Sequence, residues 1–266
     1  MHRRVVRRAL VVGAVVGLLV PGVAAAQVAA SIGPGSLMIT PLGDGRASGC
    51  TAAFVFRSTD AVHLGYAAHC AGDGVLGLSG CEVPTLPLGT RVVVEGGDGE
   101  RITGSLAYSS WTTMQERDET SDALCYLNDF ALVALDPADV AAVDPSVPEF
   151  GGPTGLDVDG TERGEAVFSY QPQRSDDATK AGVSRGDRAG GCTHEVATVP
   201  AGIPGDSGSG YLDGDGEAFG VLSTQITGGG RTTNGVTDLA LALAYASEFG
   251  GLGKITLVLG TAPFTG

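Results

Sequence analysis

The chain has 266 residues, 43% of them hydrophobic and only 17% charged, with 30 acidic against 16 basic side chains and a net charge of −14 at neutral pH. An acidic balance of this size disfavours nucleic acid and anionic membrane surfaces as partners. The 43 glycines, the low charge and the scarcity of long polar helix formers argue against a helical bundle and for an all-β protein.

The first residues read as an export address. His2-Arg3-Arg4-Val5-Val6-Arg7-Arg8 is basic, residues 9–20 are apolar apart from Gly13 and Gly17, and Ala24-Ala25-Ala26 offers small residues for cleavage. An apolar run of about 12 residues is too short to span a bilayer, so residues 1–26 are expected to be a signal peptide. Its removal takes away four of the 16 basic residues and none of the 30 acidic ones, leaving a net charge of −18. The remaining chain is expected to be secreted, extracellular, free of the membrane and monomeric, and long enough for one or two small cores. Its five cysteines, Cys50, Cys70, Cys81, Cys125 and Cys192, should pair where geometry permits and leave one over. Composition leaves the pairing open.

Residues 27–35 form a short lead-in, followed by Leu37-Met38-Ile39 as a first strand. Thr51-Ala52-Ala53-Phe54-Val55-Phe56 and Val62-His63-Leu64-Gly65-Tyr66-Ala67-Ala68 are apolar runs about Arg57-Ser58-Thr59-Asp60, which predicts a hairpin with Cys50 at its start and His69-Cys70 at its end. Pro84 and Pro87 exclude a helix from residues 71–90. Arg91-Val92-Val93-Val94-Glu95 and Gly104-Ser105-Leu106-Ala107-Tyr108 are strands about the Gly96-Gly97-Asp98-Gly99 turn. Residues 114–121 are polar and acidic and are expected to form a solvated loop. Residues 126–135 are expected to form a strand with Asp129 at its mouth.

Pro137, Pro145, Pro148 and Pro153 mark the segment that best serves as a linker, so the expected organisation is a first barrel over residues 27–138, a linker over 139–160 and a second barrel over 161–266. Strands are expected over residues 165–170, 194–199, 210–212 and 218–224. Asp213-Gly214-Asp215-Gly216 reads as a tight turn, since it lacks the later glutamate of an EF-hand. Thr237-Asp238 caps an alanine- and leucine-rich stretch, residues 239–249, that stops at Gly250-Gly251, the one helix predicted. Short strands in two halves, closed by a helix, predict two packed antiparallel Greek-key β-barrels.

The chemistry is carried by Ile203-Pro204-Gly205-Asp206-Ser207-Gly208-Ser209-Gly210. A serine hydroxyl needs a neighbouring base, and the attacked carbonyl oxygen needs donors for its developing charge. Gly205 and Gly208 let the chain turn tightly, so that the N–H groups of Gly205 and Ser207 can point at one spot. A histidine at a strand end and an aspartate opening another strand complete a nucleophile, base and orienter set.

Ala67-Ala68-His69-Cys70, Asn128-Asp129-Phe130-Ala131-Leu132-Val133 and Gly205-Asp206-Ser207-Gly208-Ser209 resemble the three signature segments of the chymotrypsin-like serine endopeptidases, in that family's order and with separations of 60 and 78 residues. The acidic, glycine-rich, exported character is similar to the secreted actinobacterial members. The resemblance implies Ser207 as nucleophile, His69 as general base and acid, Asp129 as its orienter, the N–H groups of Gly205 and Ser207 as an oxyanion hole, and a protein or peptide substrate with neither metal nor cofactor. It also implies a Cys50–Cys70 bridge beside the histidine; Cys81 and Cys125, both in the first half near the acid, are then the expected second pair, with Cys192 left free.

By the same resemblance Ala201 lies at the floor of the specificity pocket and Ser223-Thr224-Gln225 forms its wall. A small floor residue argues against Lys or Arg substrates, and Gln225 in place of a glycine implies a shallow pocket for small or medium uncharged side chains. His194 is expected to be a hydrogen-bonded strand residue; the rival reading places it in the pocket, selecting acidic side chains. The chain departs from the family in having Tyr66 before the histidine segment, Ser209-Gly210 after the nucleophile, and no Ile-Val-Gly-Gly terminus. Asp206 therefore needs a different partner, with Lys180, Arg185 and Arg188 in the right half of the chain. Two other readings compete: a silent binding module on the same barrels, and a nucleophile-elbow esterase, which the residue order disfavours.

Overall fold

The computed structural model describes residues 32–72, 79–173, 177–228 and 230–266; the expected signal peptide lies outside them. Strands arise where side chains alternate between core and solvent, as in Arg91–Glu95, whose Val92 and Val94 are fully buried. In chain order the first half holds β1 (Leu37–Gly43), β2 (Arg46–Thr51), β3 (Val55–Arg57), β4 (Val62–Tyr66), β5 (Arg91–Glu95), β6 (Arg101–Ser109), α1 (Ser110–Glu116), α2 (Asp122–Leu127) and β7 (Ala131–Leu135). The second half holds β8 (Gly155–Leu156), β9 (Ala166–Tyr170), β10 (Thr179–Arg188), β11 (Thr193–Thr198), β12 (Gly210–Leu212), β13 (Glu217–Gly228), β14 (Arg231–Asp238), α3 (Leu239–Phe249) and β15 (Thr256–Leu257).

One sheet runs in the order β15-β3-β4-β7-β6-β5-β1-β2. The other runs β12-β9-β10-β11-β14-β13-β8, and the additional pairing of β12 with β13 closes six strands into a barrel. The expected hairpin forms with Val55 opposite Leu64 and Arg57 opposite Val62. This is the all-β, two-barrel architecture with a C-terminal helix that the sequence implies.

The two sheets meet in a shared apolar seam. Phe54, Phe56, Phe130 and Leu132 from the first half pack with Leu212, Val221, Leu239 and Leu243 from the second. Phe56 and Phe130 meet edge to face at 5.5 Å. Each such ring buried from water contributes about 1.5–3 kcal/mol, so the seam holds the two sheets together firmly. α3 starts where Asp238 accepts the Leu241 N–H at 2.6 Å, an N-cap, and lays Leu239, Ala242, Leu243 and Ala246 into the seam.

Two expectations are corrected. The region read as a solvated loop over residues 114–121 is partly helical, because α1 buries Trp111 and Met114 in spite of a Thr-rich sequence with little helix propensity. The strand expected over residues 126–135 begins only at Ala131, since Tyr126 and Leu127 finish α2, whose N-cap Ser121 accepts from the Leu124 N–H. Strands β2, β8, β10, β14 and β15 have no counterpart in the sequence reading. They are short or poor in apolar residues, and cross-strand pairing rather than local pattern places them.

Candidate active site

His69 sits in a single 3-10 turn, Ala68–Ala71, directly after β4. Cys70 in that turn is bonded to Cys50 at the end of β2, and the two sulfurs and a His69 ring nitrogen lie within 4.8 Å of one another. The second bridge joins Cys81 to Cys125, and Cys192 is a buried free thiol, so the expected pairing is the one that forms. Trp111 covers the other side, its ring centroid 6.4 Å from that of His69. A Cβ on Gly80 would come within 2.4 Å of this indole, which is why the chain is bare there.

Asp129 lies between α2 and β7, and its short segment is held at both ends. Ser110 Oγ donates to the Asn128 carbonyl at 2.7 Å and accepts the Phe130 N–H at 3.1 Å, while Thr237 Oγ1 donates to the Leu127 carbonyl at 2.8 Å. Asp129 is buried, its side chain 5% exposed, and both carboxylate oxygens are engaged. Oδ1 accepts the backbone N–H of His69 at 2.8 Å; Oδ2 faces His69 Nδ1 at 2.7 Å and accepts from Ser223 Oγ at 2.6 Å. An ionised carboxylate can only accept, so Nδ1 carries the proton and Nε2 presents its lone pair. Burial alone would pull the His69 imidazole down, but the charge and hydrogen bond of Asp129 outweigh it and hold the group above the ordinary histidine value. Burial likewise pushes Asp129 up, and His69 and the Ser223 hydroxyl together bring it below the ordinary carboxylate value.

The loop carrying Ser207 is built from two turns. Ile203-Pro204-Gly205-Asp206 closes with the Asp206 N–H on the Ile203 carbonyl at 2.9 Å, and Asp206-Ser207-Gly208-Ser209 closes with the Ser209 N–H on the Asp206 carbonyl at 3.1 Å. In each the third residue is a glycine at positive φ, +109° for Gly205 and +93° for Gly208, the requirement of a type II turn. The loop docks on the end of β2: Thr51 N–H donates to the Ser207 carbonyl at 2.8 Å, and Thr51 Oγ1 to the Gly205 carbonyl at 3.0 Å. A Cβ on Gly208 would meet the Thr51 carbonyl oxygen at 2.4 Å and the Ala67 nitrogen at 3.1 Å, so the loop lies against the strand that leads into His69. On its other side Gly208 N–H bonds the Leu222 carbonyl at 2.7 Å, next to Ser223. The fold thus brings the three segments to one place at the seam.

Among the described residues no hydrogen bond joins Ser207 Oγ to the imidazole. The N–H groups of Gly205 and Ser207 likewise have no protein acceptor among the described residues, although the carbonyls around them are engaged. Asp206 is buried and its Oδ2 accepts the Ile203 N–H at 3.0 Å, which braces the first turn from within. Arg188, a candidate partner for Asp206, pairs instead with Glu195.

Beside this loop, Gly202 is tied to β14 by Asn234, which accepts the Gly202 N–H at 2.8 Å and donates to its carbonyl at 3.0 Å. Gln225 Nε2 reaches the same carbonyl at 3.1 Å, bridging the segment that contains Ala201 to the exposed Thr224 and Gln225. His194 is fully buried and bonded within the second barrel, so it does not line this surface. A separate cavity of about 790 Å³, bordered by Gly35, Asp144, Tyr170 and Pro263, contains none of the three segments. Ser223 was expected in the pocket wall, but its bond to Asp129 was not legible, and neither were Thr51 under the Ser207 loop and Asn234 behind Gly202, because each acts through a contact between strands far apart in sequence.

The barrels and their seam define the chymotrypsin-type serine protease fold. Solved structures sharing it include Thermobifida fusca protease A, with a TM-score of 0.51 and 18% identity over 85% of this chain and 98% of that one. A glutamic-acid-specific serine protease matches with a TM-score of 0.51 and 16% identity over 85% and 99% of the two chains. A thermostable serine protease, AL20, from an extremophilic microorganism, has a TM-score of 0.52 and 14% identity over 81% and 98%. No protein-family model matches the chain, and no curated protein matches its sequence.

Proposed function

We propose that this chain is a secreted, monomeric serine endopeptidase that hydrolyses peptide bonds through an acyl-enzyme. The observation that carries this reading is the His69–Asp129–Ser223 network beside a glycine loop whose two free N–H groups flank Ser207. Ser207 Oγ attacks the peptide carbonyl and passes its proton to His69 Nε2, while the N–H groups of Gly205 and Ser207 receive the oxyanion. Asp129 fixes the tautomer and stabilises the imidazolium, which then gives its proton to the leaving amine. A water molecule, deprotonated by His69, cleaves the ester and restores the hydroxyl. The fold shared with serine proteases supports the reaction class at the level of architecture.

Gln225 and Asn234, both bonded to Gly202, favour a shallow pocket above Ala201 for small or medium uncharged side chains. The two disulfides fit an oxidising compartment, and no described helix is long and apolar enough to cross a membrane. The test is cleavage of a mixed peptide library by the wild type and by Ser207→Ala. Cleavage after small uncharged residues, lost in the variant, is expected. Cleavage retained by the variant would refute the assignment.

A further inference from the structure

His194 is the third buried histidine among the described residues, after His63 and His69 of the first half, and it takes no part in the site above. It lies on β11, opposite Asp187 of β10 and Val236 of β14. Its Nδ1 is 2.7 Å from Asp187 Oδ1 and 3.0 Å from Thr161 Oγ1, and its Nε2 is 2.9 Å from Asp238 Oδ2. The ring itself has no exposed surface and meets Phe219 of β13 edge to face at 5.1 Å. A neutral imidazole has one lone pair in its plane, which on this fully buried ring would face a carboxylate oxygen less than 3 Å away. With both ring nitrogens protonated, Nε2 donates to Asp238 Oδ2 and Nδ1 donates to Thr161 Oγ1, with Asp187 Oδ1 2.7 Å from Nδ1 as an ion-pair partner.

Each carboxylate is also tied elsewhere. Asp238 Oδ1 caps α3 through the Leu241 N–H, and Asp187 Oδ1 accepts the Thr161 N–H at 3.3 Å. We propose that His194 is held as a buried imidazolium that clamps Asp187 to Asp238, so that one proton secures β10, β11 and the start of α3. Thr161 Oγ1 passes the contact on to Ser184 Oγ at 2.8 Å. The remaining charged and titratable groups nearby are Glu195, paired with Arg188 and accepting from Thr233, and the buried Cys192 thiol, which burial and Asp238 hold protonated. The same β14 end supplies Thr237, whose hydroxyl supports Leu127 ahead of Asp129, so the clamp also steadies the acid side of the site.

Burial pulls His194 down, but Asp238 and then Asp187 push the other way, and the group ends above the ordinary histidine value. A folded-state value above the unfolded one means that the clamp's contribution is complete below about pH 6.5 and is lost as pH rises through the folded value.

The test is ring nitrogen NMR on the ¹⁵N-labelled protein from pH 6 to 9, with His63→Gln and His69→Ala assigning His194 by elimination. At pH 8 an ordinary imidazole is about 30-fold in favour of the neutral form. The expected result is that both His194 nitrogens remain protonated there, and that Asp187→Asn, at a half-exposed position, moves the midpoint down. A single protonated nitrogen at pH 7, or a midpoint unmoved by Asp187→Asn, would overturn the proposal. Neither readout depends on peptidase activity, so this inference and the reading of the active site fail separately.

Discussion

Ser223 Oγ donates to Asp129 Oδ2 at 2.6 Å across 94 residues of sequence, on the same oxygen that faces His69 Nδ1. The second barrel therefore completes the hydrogen bonding of an acid that belongs to the first. A hydrogen bond to a charged group contributes about 1.5–3 kcal/mol, so this contact is a substantial part of what keeps Asp129 ionised while buried.

Ser223→Ala should accordingly lower kcat/KM by roughly tenfold or more, the equivalent of about 1.4 kcal/mol or above in transition-state stabilisation. The measurement is steady-state cleavage of the best library peptide, with circular dichroism to show that the fold is kept. An unchanged kcat/KM would mean that Asp129 does not rely on the second barrel.

Asp129→Asn keeps the shape of the side chain but presents His69 with the wrong tautomer and no compensating charge. Loss of kcat on the order of 10³–10⁴-fold is expected. A loss of less than tenfold would assign the role to another acid. Asp136, paired with exposed Arg91, and Asp122, in the first turn of α2, are not placed to take it.

In the proposed mechanism activity should rise with pH as His69 loses its proton, because only a neutral ring could accept the Ser207 proton. Asp129 holds His69 above the ordinary value, so the acid limb of kcat/KM should have its midpoint above about pH 6.5. A midpoint below that, or a flat profile between pH 5 and 8, would contradict the assignment. His63 does not confuse the reading, since burial lowers it to about 4.

The disulfides should matter unequally. In the chain-entropy model the Cys50–Cys70 loop, with a separation of 20, contributes about 3 kcal/mol, and the Cys81–Cys125 loop, with a separation of 44, about 4 kcal/mol. Paired Cys→Ala variants in urea titrations should lose stability in that order, while only the loss of Cys50–Cys70, which abuts His69, should also depress kcat. Equal effects on kcat would show that the bridge beside the histidine has no local role.

Much of the site was legible because chemistry constrains local sequence. The Gly205-Asp206-Ser207-Gly208 turns demand glycine at positive φ, and His69 follows a strand whose apolar run is plain. The helix Leu239–Phe249 was legible from its cap and its glycine stop. What escaped was set by distant partners. Trp111 draws α1 into a helix by packing between Gly72, Gly80 and His69, and strands such as Thr179–Arg188 carry few apolar residues and exist through pairing with both neighbours. The Asp187–His194–Asp238 cluster was out of reach for the same reason: His194 was identifiable as a bonded strand residue, but its two acids come from strands on either side.

The most direct test of the account is covalent labelling of the folded protein with a fluorophosphonate probe, followed by peptide mapping and a Ser207→Ala control. Modification confined to Ser207 and absent from the variant is the predicted result, since it requires the activated hydroxyl and the free N–H groups of Gly205 and Ser207 together. A folded protein that takes up no label, or takes it elsewhere, would contradict the claim that these residues form a working active site.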